Sequence, residues 1–415
     1  MASGDLPLRR NRDFVLLQVG QALSTVGSST SQIAYPLLVL ATTGSAPKAG
    51  LVGFARMIPY GLFGLLAGLA SDRADRKRLM LAADAVRAAA LASVVAALAM
   101  HELSFVQIIG VAFVEGTMFA IFNVAEVGAL RAVVPARQLP SAAAAEQARI
   151  GVVELIGPPL GGALFGAARL LPFLFDAVSY AFSLASLLAM RTPFQQDREP
   201  EAAPLRAQLA EGFRWLWQQP FLRTCAVLFT WLNLAFEGLV LTLIVTGRRQ
   251  GLSGGEIGGI VAALGACILV GSALAPRLAR TLSMRHVILG GLWINLTVGA
   301  FLIEPSVYVL LAGGVPSIVL TPTVNSVVVG YRTAIVPDRL VGRVTSVTRT
   351  VALFGVPLGP LIAGLLLGWL SPRATVAVFT GLLLVLALIG TVSRSMRAAP
   401  SLAELDSLPP ATQPG

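Results

Sequence analysis

Apolar runs of about 20 residues, the length that spans a bilayer core as an α-helix, recur from end to end of this chain and limit its fold more than any other feature. They fall at 14–41, 49–70, 79–100, 105–130, 142–168, 170–190, 221–246, 256–276, 286–303, 307–331, 344–369 and 373–393, twelve in all. In hydrocarbon every backbone N–H and C=O must find its partner within the protein, and for runs of this length that means helices. The 415 residues are 55% hydrophobic and only 13% charged, with a mean hydropathy of +0.77. A soluble fold of that size needs more polar surface. The sequence therefore predicts an all-α polytopic membrane protein of twelve transmembrane helices. A cleaved signal peptide would give one short run near the start, and none is predicted.

The formal charge of +10 has a topological reading, because Lys and Arg near span ends resist translocation. One set of segments holds Arg9, Arg10 and Arg12, then Arg73, Arg76, Lys77 and Arg78, then Arg131 and Arg137. The same set continues with Arg277, Arg280, Arg285, Arg332, Arg339, Arg343, Arg394 and Arg397. The alternate loops hold little beyond Lys48, Arg169, Arg248, Arg249 and Arg373. This asymmetry places both termini in the cytoplasm of a multi-pass plasma-membrane protein. The cations are scattered among the spans, so nucleic-acid binding is not expected.

The longest connection, 191–220, holds Leu205, Leu209, Phe213 and Leu216 at helical spacing beside Arg206, Arg214, Trp215 and Trp217. It predicts an amphipathic helix at the membrane surface. The expected organisation is a cytoplasmic N-terminus at 1–13, a six-helix bundle at 14–190, this linker, a second bundle at 221–393, and a disordered tail at 394–415. The halves look duplicated. Without a gap, Val134, Pro135 and Arg137 align with Val336, Pro337 and Arg339, while Gly157, Pro158 and Gly162 align with Gly359, Pro360 and Gly364. An even number of spans per half makes the repeat parallel.

Twelve spans, a central loop and parallel six-helix repeats resemble the major facilitator superfamily. The stretch GLASDRADRK looks like that family's signature loop, with Gly68, Asp72, Arg73, Arg76 and Lys77 matching and Asp75 replacing a glycine. The resemblance implies that Asp72 helps latch an outward-facing state against the start of span eleven, with Asp75 as a second carboxylate beside it. Gly157, Pro158, Gly161 and Gly162 resemble the span-five signature associated with antiport, with Val153 where a further glycine is usual. Asp75, the FDAVSYAFS start of span six and EGFRWLWQQPFLR before span seven are similar to the macrolide-efflux-like and enterobactin-exporter-like branch.

Charges at bilayer depth are functional hypotheses by default. They are Arg56 in span two, Glu115 and Glu126 in span four, Arg149 and Glu154 in span five, Asp176 in span six and Glu237 in span seven. Glu115 and Glu126, eleven residues apart, share a helix face. The resemblance implies that spans one, four, seven and ten line the translocation path. Proton coupling therefore has Glu115, Glu237, Glu154 and Glu126 as candidates, with substrate contact or a structural ion pair as the other roles open to them. Depth along the helices predicts that Glu126 meets Arg149 and that Glu115 meets Glu154, while Asp176 is expected to be structural. Gln18, Gln21, Thr25, Ser28, Ser29 and Gln32 lie on one side of span one. They face either a wet cavity or neighbouring helices. With Arg56, Phe119, Phe122, Asn123 and Asn233 they are the substrate-cavity candidates. Met57, Phe229, Trp231, Phe236 and Trp293 supply apolar surface for a pocket, for packing or for lipid contact.

Enzyme chemistry lacks a constellation: His101 and His286 fall on opposite predicted sides, with no HExxH and no GxxxxGK[ST] loop. Cys225 and Cys267 sit in apolar runs as small hydrophobes, and no metal or cofactor is expected. The expected function is proton-coupled export of amphipathic small molecules, drugs or secondary metabolites such as siderophores, by a monomer working through alternating access. Its partners are the substrate, protons and the lipid bilayer. The alternatives are proton-coupled import and a transporter-like receptor or assembly partner that moves nothing.

Overall fold

The first span begins where Asn11 caps it, its side-chain oxygen accepting from Phe14 N at 3.2 Å while its Nδ2 donates to the Val133 carbonyl at 2.9 Å. In this computed structural model, which describes residues 7–73, 75–194 and 205–397, the chain then runs through helix after helix. Helices α1 (Arg12–Thr43), α2 (Ala46–Arg73), α3 (Arg76–Ala99), α4 (Phe105–Val133), α5 (Leu139–Ala167) and α6 (Leu171–Ala189) carry the first six spans. The amphipathic α7 (Leu205–Gln218) follows, then α8 (Pro220–Arg249), α9 (Gly254–Thr281), α10 (Met284–Ile294) and α11 (Val307–Ile335). Helices α12 (Val341–Leu353), α13 (Gly355–Trp369) and α14 (Pro372–Val392) complete the array. Ten helical segments among the described residues are long and apolar enough to cross a membrane. The two further helices of spanning length are α1, whose polar face keeps its hydropathy low, and α2, whose side chains are described only in part. Residues 1–6 and the tail from 398 lie outside the described residues.

Two compact units emerge, residues 1–198 with 247–265, and 199–246 with 266–415. The boundary differs from a simple cut in the linker because the first half of α9 packs on α5. Gly254 and Gly258 meet Gly162 there with no side chain between the backbones. In the first unit, glycines also set the other close crossings. A Cβ at Gly116 of α4 would overlap the Arg56 carbonyl of α2, and one at Gly161 of α5 would press on the backbone of Thr30 in α1.

In the second unit the same economy appears in duplicate positions. Gly359, the repeat partner of Gly157, meets the Leu234 carbonyl and Glu237 of α8 as Gly157 meets Ser29 of α1. The eleventh span is broken at Phe354 between α12 and α13. Pro357 has no N–H to give to the carbonyl four residues back, and the break frees carbonyls just ahead of it. Thr230 Oγ1 and Asn233 Nδ2 of α8 donate to two of these, Val351 O at 2.7 Å and Ala352 O at 2.9 Å. The ninth span likewise ends as a 3₁₀ stretch, Asn295–Leu302, pinned to α11 where Ser317 donates to Asn295 Oδ1. Helix α7 lies along α12: Arg343 pairs with Glu211, Gly212 lets the backbones approach, and Leu216 is fully buried.

At the opposite end of α1 from Gly44, Asp13 ties the first helix to the segment after α6. Its Oδ2 accepts from Arg191 N at 3.1 Å, Thr192 N at 2.7 Å and Thr192 Oγ1 at 2.5 Å. Burial pushes this carboxyl up, but the Thr192 and Arg191 hydrogen bonds and the neighbouring Arg12 outweigh it and hold it below the usual range. A carboxyl lowered on folding stabilises the fold above its ordinary value and loses that contribution as pH falls through the lowered one. Stability of the wild type should therefore drop more steeply below about pH 4 than that of Asp13→Asn, as read by thermal unfolding across a pH series.

A second expectation concerns helix crossing. Gly116→Ala should destabilise the purified protein by several degrees in its unfolding midpoint, while Gly110→Ala on the same helix, where a methyl meets nothing, should leave it unchanged or slightly raised.

Candidate functional site

Five helices of the first unit converge on a set of ionisable side chains in its interior. The Gly116 crossing brings α2 against α4, and with it Arg56 against Glu115. Arg56 Nη2 donates to Glu115 Oε1 at 2.7 Å and to the Ser28 carbonyl at 3.2 Å. Glu115 is 1% exposed. Its other oxygen accepts from Tyr35 of α1 at 2.9 Å, and Tyr180 of α6 reaches Oε1 at 3.4 Å. Hydrogen bonds from a cation and two phenols thus satisfy the oxygens of a buried carboxyl.

A second guanidinium enters from α3. Arg87, 3% exposed, lies over the Tyr180 ring, 3.9 Å from its centroid, and donates to the Tyr180 hydroxyl and to Ser28 Oγ at 3.2 Å. Its Nη1 meets Asp84 Oδ1 at 3.4 Å, one turn back on the same helix. Sequence reasoning misses Asp84, Arg87, Tyr35 and Tyr180. The signal for the first two is present in ADAVRAAA, an acid and a base three apart on one face of an alanine-rich span.

The other sequence candidates divide. Arg149 and Glu126 pair at 3.0 Å, and Arg149 also reaches Thr25 at 3.5 Å. Glu115 and Glu154 are not brought together: Glu115 turns to Arg56, whereas Glu154 is exposed. Their similar depth is legible from counting residues, but the rotation of each helix is not. The polar side of α1 splits in the same way. Gln21 donates to Ser183 Oγ at 3.1 Å and Ser28 joins the Arg87 cluster. Gln18, Thr25 and Ser29 are half-buried, and Gln32 is exposed. Phe122 is buried in the core, Asn123 is half-buried, and Phe119 is 40% exposed beside Tyr60, with ring centroids 5.9 Å apart. Asp176 lies within the cluster of the first unit and is completely buried.

In the second unit Asn233 is a cap for the broken eleventh span. One turn on, Glu237 is half-buried beside Gly359 and, among the described residues, has no cation or hydrogen-bond partner. Trp231 and Trp293 are partly exposed, the latter donating to Thr391 Oγ1 at 3.0 Å.

The hairpin between α2 and α3 has a local logic of its own. Asp75 caps α3, accepting from Lys77 N at 2.8 Å and Arg78 N at 3.2 Å, which explains an acid where the superfamily pattern has glycine. Lys77 Nζ reaches the Met190 carbonyl at 2.6 Å and Arg76 the Phe194 carbonyl at 3.4 Å. Both cations thus hold the segment that ends α6, where free carbonyls favour positive charge. The side chains of Gly68, Asp72 and Arg73 lie outside the described residues.

The Arg56–Glu115 pair yields a direct test. Glu115→Ala leaves a guanidinium in the interior without its counter-charge and should cost about 3 to 5 kcal/mol of stability. Replacing both residues by Met should recover much of that loss, and unfolding of the two single variants and the double variant measures the coupling.

The sequence profile of the family described as transmembrane secretion effector matches residues 2–412. The multidrug efflux pump Tap of Mycobacterium tuberculosis is 28% identical over 416 residues, covering 95% of each chain. Macrolide efflux protein A of Streptococcus pyogenes is 27% identical over 193 residues, 46% of this chain and 47% of that one. Among solved structures, a bacterial homologue of the human lysosomal transporter Spinster superposes with a TM-score of 0.74 at 16% identity, covering 95% of this chain and 98% of the other. A bacterial homologue of the iron transporter ferroportin gives 0.70 at 18%, covering 92% and 98%.

Proposed function

This chain belongs to the transmembrane secretion effector family of the major facilitator superfamily, and on that premise we propose that it exports amphipathic small molecules across the plasma membrane in exchange for protons, by alternating access. The family membership and the full-length likeness to a multidrug efflux pump support export. The asymmetry of Lys and Arg between alternate loops supports cytoplasmic termini.

The observation that carries the reading is the set of charged side chains built into spans of both units. A protein that only sat in the bilayer would gain nothing from Arg56, Glu115, Arg87 and Asp84 in its interior, or from a Glu237 that meets no partner among the described residues. A carboxyl that meets no cation in such surroundings can hold a proton and release it when water or a cation reaches it, which is the chemistry that antiport requires. Glu237 is the proton site of the second unit in this scheme. Phe119 and Tyr60 in the first unit and Trp231 and Trp293 in the second offer aromatic surface suited to flat apolar substrates, with cation–π attraction for those carrying positive charge.

Reconstituted protein tests the proposal. With an imposed pH gradient, proteoliposomes should move ethidium or a labelled macrolide, and a protonophore should abolish the movement. Glu237→Gln, which imitates the protonated form, should bind these compounds but transport them no faster than empty liposomes do. Accumulation in cells rather than depletion would indicate import. Binding without movement in any imposed gradient would indicate a receptor.

A further inference from the structure

Apart from the Glu126–Arg149 pair, three carboxyls and two guanidiniums share the interior of the first unit, and they do not balance. Glu115 is taken by Arg56, Tyr35 and Tyr180. Asp84 is taken by Arg87. Among the described residues, Asp176 is 0% exposed and meets no guanidinium in a hydrogen bond, and its Oδ2 has no hydrogen-bond partner. With all five groups ionised, an uncompensated negative charge would remain in a region without water, the arrangement that burial penalises most.

The hydrogen bonding around Asp176 indicates how the imbalance is resolved. Ser179 Oγ lies 2.7 Å from the Asp176 main-chain carbonyl and 3.4 Å from Asp176 Oδ1. A hydroxyl has one proton, and the nearer carbonyl claims it. At 3.4 Å the side-chain oxygen keeps only a long share of that proton, so Asp176 lacks the close donors that a buried carboxylate requires. Ser31 of α1 faces the same carboxyl. Gly27 of α1 makes the space, since a Cβ there would strike Ser179 and Asp176.

We propose that Asp176 holds a resident proton within the first unit, and that this proton is exchanged across the membrane against substrate. The second half rests on the export reading above; the first half does not. The groups facing Asp176 are Glu115 of α4, Arg87 of α3, Arg56 of α2, Tyr35 of α1 and Tyr180 of its own helix. Helix α5 has no ionisable residue from Leu155 to Ala167, the end that leads into α6. The two guanidiniums draw the proton off when water enters, and Glu115 opposes its loss when the site is dry. Asp176 lies five residues beyond the first residue of α6, about 7.5 Å of helix rise. In the proposed orientation that end faces outward, where an acidic exterior reloads it.

Infrared spectroscopy of the protein in lipid, with hydrogen–deuterium exchange, reads protonated carboxyls by their C=O band. At neutral pH the wild type should show such a band that disappears in Asp176→Asn and persists in Asp84→Asn. Survival of every band in Asp176→Asn, or loss of the band in Asp84→Asn alone, overturns the assignment. Should Asp176→Asn not fold, Ser179→Ala should shift the band by altering its hydrogen bond, and no shift overturns the assignment equally. In proteoliposomes, Asp176→Asn should retain ethidium exchange at equal concentrations and lose accumulation driven by a pH gradient at least tenfold. Full accumulation in that variant overturns the exchange half. Absence of gradient-driven accumulation in the wild type itself overturns the export reading and leaves the infrared assignment standing.

Discussion

The cost of ionised groups in a medium without water governs this molecule. Once Glu115 and Arg56 lie in the bundle interior, each must be met at hydrogen-bond distance by something of opposite polarity, and the 2.7 Å contact between them does this. The remaining lone pairs of the carboxylate then require donors, which come from Tyr35 and Tyr180 on two further helices. The second phenol brings Arg87, and Arg87 brings Asp84. Helices α1, α2, α3, α4 and α6 are thereby held in one rotational setting by a requirement that no apolar contact would impose. Dispersion and small residues bring helices together in a membrane, but they tolerate slippage that such a network does not.

Close backbone approach makes the network possible. Gly116 lets the Arg56 backbone reach α4, and Gly27 leaves room for the Asp176 and Ser179 side chains. The second unit applies the same device to a different end. Gly355 and Gly359 bring α13 onto α8, close enough for Thr230 and Asn233 to satisfy the carbonyls released at the break before Pro357. The duplicated motif GP-x-x-[GA]-G thus recurs as duplicated packing, of α5 on α1 and of α13 on α8. The charges inside the two units have diverged: a network of acids and bases in the first, and in the second a Glu237 that meets no cation among the described residues.

Much of the architecture is legible in the amino-acid sequence. Each of the twelve runs of membrane-spanning length forms a helical segment, and the apolar spacing of 205–216 forms α7. Equal depth matches Glu126 with Arg149, and the two do meet. The motif comparison does not reveal that Asp75 is the N-cap of α3, since a local competition for backbone N–H groups does not show in a motif. Depth also matches Glu115 with Glu154, yet their helices turn them to different surroundings. Counting at ~1.5 Å per residue gives height in the membrane but not azimuth. Asp84 and Arg87 escape notice because a pair three residues apart on one helix looks self-contained in the sequence.

Composition and periodicity by themselves determined that this chain is a polytopic helical membrane protein and where along it the helices of spanning length fall. These follow from the bilayer, which acts on each segment separately and is therefore written into local sequence. Tertiary structure alone decided which acids meet which bases, that Asp176 is left without a hydrogen-bonded cation, and that Asn233 caps a broken span and does not stand free. Those outcomes depend on the rotation of each helix about its axis and on backbone crossings at single glycines, and these are set jointly by residues far apart in the chain.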